Sequence, residues 1–128
     1  MTHWIFVMTG NNADFLTRAS SGKWPIFKRT GNRNNLAKGD SVVFYLGGSN
    51  NKKIMGTATL GSGLNADGDE FSIDLSDVSI WDTPIRMVSI LESLVFIHNK
   101  KNWGAYMQGG VVWLPKNDYV TILSKKNS

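Results

Sequence analysis

The chain contains no cysteine. Disulfides, cysteine-zinc sites and thiol nucleophiles are therefore excluded, and a cytoplasmic location is the default expectation. Proline is scarce, at 3 residues, so no proline-rich linker is present. No apolar run approaches the ~18 residues needed to span a bilayer, and membrane association is not expected. The opening Met1-Thr2-His3-Trp4 lacks the basic stretch, apolar core and cleavage site of a secretory signal. Histidine is limited to His3 and His98, which do not have metal-ligand spacing, so neither metal nor cofactor is expected. Gly47-Gly48-Ser49-Asn50-Asn51-Lys52 has the wrong spacing for a phosphate-cradling P-loop.

What the chain does contain is a segregated charge pattern. Its 128 residues carry a net charge of +4, and that length suits one domain, 1–128, with a core of its own. Between Asp14 and Asp40 lie six basic residues and no acid: Arg18, Lys23, Lys28, Arg29, Arg33 and Lys38. Between Lys53 and Arg86 lie six acids and no base: Asp67, Asp69, Glu70, Asp74, Asp77 and Asp82. A dipolar surface of this kind attracts a polyanion through its positive lobe, in a salt-dependent way. Nucleic acid is thus the favoured partner, with Lys28, Arg29 and Arg33 as candidate phosphate contacts. Oligomeric state is not encoded in any feature of the pattern.

Hydrophobic periodicity predicts strands at Trp4–Met8, Ser41–Leu46, Lys53–Leu60, Phe71–Leu75 and Val111–Leu114, with Val78–Trp81 continuing or pairing with the fourth. Gly47–Asn51 reads as a hairpin loop, and Gly56 marks a bulge or a close backbone approach. Helices are predicted from Ala13 to Ala19 with Asn12 as N-cap, from Pro84 through Leu91, and from about Pro115 to Leu123. Trp4, Trp81 and Trp113 have aliphatic neighbours and are assigned to the core. Asp40 reads as a turn residue that starts a strand. Antiparallel strands joined by hairpins, with short helices outside, describe an α+β protein built on a small mixed β-barrel or curled sheet.

The segment Phe96-Ile97-His98-Asn99-Lys100-Lys101-Asn102-Trp103-Gly104-Ala105-Tyr106 mixes flat rings, amides and cations in a glycine-broken stretch. A base stacks on a ring while its backbone pairs with ammonium groups, so Trp103 and Tyr106, with Lys100 and Lys101, form a candidate nucleotide site. Tyr45, at the end of a strong strand, is a further candidate wall.

Taken in order, Trp4-Ile5-Phe6-Val7, Gly22-Lys23-Trp24, Lys38-Gly39-Asp40-Ser41-Val42-Val43-Phe44-Tyr45, Gly56-Thr57-Ala58 and Asn99-Lys100-Lys101-Asn102-Trp103-Gly104 resemble the EVE domain. That family belongs to the PUA-like superfamily, with YTH and ASCH domains as relatives. The resemblance runs from about Trp4 to Ile122. It implies a PUA-like barrel with a pocket at one end that reads a modified, in particular methylated, base in DNA or RNA after extrusion from the stack. By comparison with YTH domains, Trp24 would form one wall, and Asn11 or Asn12, beside Thr9, would contact the base edge. The second cage tryptophan of that pattern is missing, since Gly61 to Glu70 holds no aromatic residue. Either Trp103, Tyr45 or Tyr106 supplies the opposite wall, or the pocket has one ring and binds loosely. The competing readings are a nuclease reminiscent of ASCH relatives, for which His98 with Lys100 is the one local acid-base set, and a small-molecule or partner-binding domain using the same pocket.

Overall fold

The computed structural model describes residues 1–126. Two strands that are apolar at both parities form its centre: β1, His3–Thr9, and β3, Ser41–Gly47. Strands of this composition need cover on both faces. They pair in parallel from His3↔Ser41 to Thr9↔Gly47, connected by α1, Asn12–Ser20, and β2, Lys23–Ile26. β4, Lys53–Leu60, returns antiparallel to β3. β5, Asn65–Asp67, and the long β6, Glu70–Arg86, follow, then the single turn α2, Met87–Ile90. A 3-10 segment at Lys100–Met107 leads to β7, Val111–Leu114, and α3, Lys116–Ser124. The strand order is β2-β6-β4-β3-β1-β7, with β5 on β6. The result is a curled mixed sheet, a half-barrel with few short helices, as expected. Among the described residues, no helix is long and apolar enough to cross a membrane.

Alternation along β1 and β3 divides the apolar side chains between two cores. Trp4, Phe6, Met8, Val42, Phe44 and Leu46 pack with Phe15 and Ala19 of α1 and with Trp24 and Ile26 of β2. Ile5, Val43 and Tyr45 face the other way, under α2, the 91–107 segment and Ile122 of α3. Asp40 joins the ends of the central strands. Its carboxylate accepts from the Trp4 indole Nε1 at 2.9 Å and from the backbone N–H groups of Thr2 and Ala37, each at 3.1 Å. A buried carboxylate with three donors is a structural tie.

Several local expectations are corrected. α1 begins at Asn12, and Asn11 is its N-cap, accepting from the Asp14 N–H at 2.8 Å. Lys23–Ile26 is a strand, paired with residues 71–74 of β6. The stretch after Pro84 is no long helix, because β6 continues to Arg86. Pro84 has no ladder partner on β4, so its missing N–H costs nothing there. Trp113 is 56% exposed rather than core, while Val111 and Leu114 on the same strand are buried.

Gly56 does mark both a bulge and a close approach: the β4 register slips around it. A Cβ at this position would lie 2.1 Å from the Ser79 carbonyl oxygen. Gly56→Ala must push β4 and β6 apart, and a loss of roughly 3 kcal/mol is expected in chemical denaturation. Burial, followed by the Lys116 ammonium and the amino terminus, holds the His3 imidazole below its ordinary 6.5, with Asp40 opposing. The unfolded chain then binds more protons than the folded one as pH falls through 6.5, so acidification destabilises the fold. The thermal midpoint should drop between about pH 7.5 and about pH 5, and the drop should flatten in His3→Phe, which keeps the ring stacked on Tyr119.

Candidate nucleic-acid interface

The outward parity of β1 and β3 places Val7 beside Tyr45 and Thr9 beside Gly47. These four residues line a cleft of about 370 Å3, closed on another side by Lys101–Gly104 and Met107 and rimmed by Gly48 and Lys52. That volume falls within the range of ligand pockets. Trp103 is half-buried, and its ring meets Tyr45 edge-on, with centroids 6.5 Å apart at 88°. A planar ligand can therefore stack on one of these rings and meet the other at its edge; it cannot be sandwiched between them. Gly47 leaves the floor open, because a Cβ there would come within 3.4 Å of Thr9 Oγ1 and Tyr45 Cε1.

The chemistry of the cleft is rich in donors. Lys52 and Lys101 line it, and no carboxylate does among the described residues. Burial pushes the Tyr45 phenol up to about 12, so it keeps its proton at neutral pH. Asn102 and Thr9 supply the groups that can either donate or accept.

The 94–107 segment that carries Trp103 is held in place by buried and backbone contacts. Asp118, on α3 and buried, accepts from the N–H groups of Val95 at 2.8 Å and Phe96 at 2.9 Å. Asn99 Oδ1 accepts from the Asn102 N–H at 3.2 Å and starts the 3-10 turn. On the opposite wall, Asn51 Nδ2 donates to the carbonyls of Gly10 at 2.7 Å and Gly47 at 3.1 Å, tying the β3–β4 hairpin to the end of β1.

The structure brings together Thr9, Tyr45, Lys101 and Trp103 from the expected set. Asn11 and Asn12 line an adjoining shallow groove that shares Thr9 and Gly48 with the cleft. Trp24 is the main correction. At 2% exposure it sits in the core, 5.0 Å from Phe44, 5.9 Å from Phe6 and 6.1 Å from Phe15 between ring centroids. The Arg18 guanidinium covers it at 5.1 Å. No face is free for a base, and moving the ring out would sacrifice a core aromatic worth ~3–5 kcal/mol. Tyr106 lies outside the cleft lining: its ring meets Phe96 edge-on and its hydroxyl accepts from the Asn99 N–H at 3.1 Å.

The expected phosphate contacts are also largely engaged elsewhere. Lys28 pairs with Asp69 at 3.5 Å. Arg33 donates to the Thr30 carbonyl at 3.1 Å and lies over Phe71. The Lys100 ammonium donates to the Leu94 carbonyl, while Arg29 is exposed. Lys52, which lines the cleft, was not singled out by sequence reasoning; its place directly after a glycine-rich hairpin was the available signal. Asp118→Ala should free the segment that carries Trp103, costing about 1–3 kcal/mol. Limited proteolysis should then cut within residues 94–107, where the parent chain resists.

No protein-family model matches the chain, and no curated protein does. Solved structures do match, over nearly its whole length. A protein from Agrobacterium tumefaciens superposes with a TM-score of 0.73 at 14% identity, covering 99% of this chain and 94% of that one. Human THYN1, solved in complex with DNA containing 5-methylcytosine, gives 0.72 at 12% identity, with 100% and 99% covered. The YTH domain of Zygosaccharomyces rouxii MRB1, solved with N6-methyladenosine RNA, gives 0.65 at 16%, with 95% and 85% covered. At these identities the likeness is one of fold: the chain shares the architecture of THYN1 and of the YTH domain over nearly its whole length.

Proposed function

We propose that this chain, acting as one unit in the cytoplasm, binds nucleic acid and reads a methylated base that is flipped into the cleft between Tyr45 and Trp103. The observation that carries this reading is the cleft itself: two perpendicular rings, a donor-rich lining, two lysines and no carboxylate among the described residues. Neighbours of the same fold were solved with methylated DNA and with methylated RNA, which supports the choice of ligand class.

The base stacks on the exposed face of Trp103, a contact worth ~1–3 kcal/mol. Asn102 and Thr9 meet its polar edge, and Lys101 approaches the phosphate beside it. The methyl group lies against Val7, Tyr45 and Met107. Discrimination by one methyl in an apolar setting is worth ~1–3 kcal/mol, so the preference over the unmodified base is modest. The module binds without transforming its ligand. The nuclease alternative draws no support from His98 and Lys100, since Lys100 is committed to the Leu94 carbonyl and neither residue lines the cleft.

Labelled single-stranded and duplex oligonucleotides, with and without 5-methylcytosine or N6-methyladenine, test this by anisotropy titration. One methylated form should bind best. Trp103→Ala should weaken it by about 5- to 150-fold, the equivalent of the stacking energy, and Gly47→Val should block it by filling the floor. Equal binding of methylated and unmethylated oligonucleotides, unaffected by both substitutions, would sink the reading and redirect the search to small ligands.

A further inference from the structure

We infer that the strand flanking the inserted base leaves the cleft over Trp103 and runs across the joined ends of β4 and β6, its phosphates held by Lys52, Lys53 and Arg86. This route rests on the base-reading proposal and specifies the path of the polymer. A groove of about 700 Å3 lies beside the cleft, lined by Ser49–Lys53, Pro84, Arg86, Val88 and Trp103. Lys52 and Trp103 line both depressions, so a chain leaving one enters the other directly.

Lys53 and Arg86 are direct partners in the antiparallel β4–β6 ladder. Like charges directly opposite one another on a sheet repel, and no salt bridge relieves Lys52, Lys53 or Arg86 among the described residues. The Lys23–Asp74 and Lys28–Asp69 pairs involve other cations. A polyanion would supply the missing counter-charge.

Lys52 adds a second, independent observation. Its φ of 60° lies in the left-handed region, where glycine or asparagine is the usual choice. Its backbone is locked there: its N–H donates to the Leu46 carbonyl at 2.8 Å, and its carbonyl accepts from the Met87 N–H at 2.9 Å. A lysine held in an unfavourable conformation, at the junction of two depressions, points to use of its side chain. Exposed Val88 and half-buried Pro84, which line the groove with Trp103, give the sugars an apolar track.

The test uses the full chain and a single-stranded oligonucleotide carrying one 5-methylcytosine, titrated over a salt series. Each phosphate contact on a single strand contributes about −0.7 to the slope of log K against log salt. Lys53→Gln with Arg86→Gln should make the slope shallower by roughly 1.4, so a rise from 50 to 200 mM salt costs about 7-fold less affinity than in the parent. Its thermal midpoint should be equal or higher, because the like-charge pair is gone. Lys28→Gln with Arg29→Gln and Arg33→Gln should leave the slope unchanged. An unchanged slope in the first variant, or a shallower one in the second, overturns the route. The unmethylated oligonucleotide serves as the control: if it binds as tightly as the methylated one while the slope still responds to Lys53 and Arg86, the route stands and base reading fails.

Discussion

The in-register parallel pairing of β1 with β3 is the constraint on which the other parts depend. Side chains alternate along a strand, so this register determines which residues enter the first core and which face the helices. A slip of one residue would move Trp4 and Phe6 to the face that carries Val43 and Tyr45, scrambling the two cores. It would also erase the cleft, whose floor is two alternate rungs of the same ladder, Val7–Tyr45 and Thr9–Gly47. Asp40 secures the opposite end of that pair through the Trp4 indole. Core and cleft are therefore consequences of one pairing.

Two buried carboxylates carry much of the remaining specification, and both are used up by backbone or indole donors. Asp40 organises the start of β3, and Asp118 holds the loop that presents Trp103. Acidic groups are thereby kept structural and remote from the cleft, whose lining is left to neutral donors and ammonium groups. The cations that line this end, Lys52, Lys53, Arg86 and Lys101, all come from outside the basic stretch at residues 18–38.

Much of this organisation was legible in the sequence. The strong strands, the Gly47–Asn51 hairpin, the bulge at Gly56 and the special character of the Trp103 segment all follow from periodicity and local composition. Tyr45 and Thr9 were nominated, although their meeting in one cleft depends on a pairing across more than thirty residues. Trp24 was misread because its local surroundings, Gly22-Lys23 before and Pro25 after, resemble a loop. Its burial is decided by Phe6, Phe15 and Phe44 from three other elements. Arg86 could not be matched with Lys53 without the β4–β6 register, and the acidic run preceding it disguised the basic end of a strand seventeen residues long.

The cleft is assembled from three stretches far apart in the chain: the end of β1, the β3–β4 hairpin and the 101–107 turn. The hairpin can close early, since its contacts are local, whereas the parallel partner must first close a much longer loop. The Trp103 wall comes last, because its anchor is Asp118. During synthesis from the N-terminus, the first core can gather while the second lacks its lid. A chain that ends before residue 118 thus lacks the carboxylate that holds the Trp103 wall of the cleft.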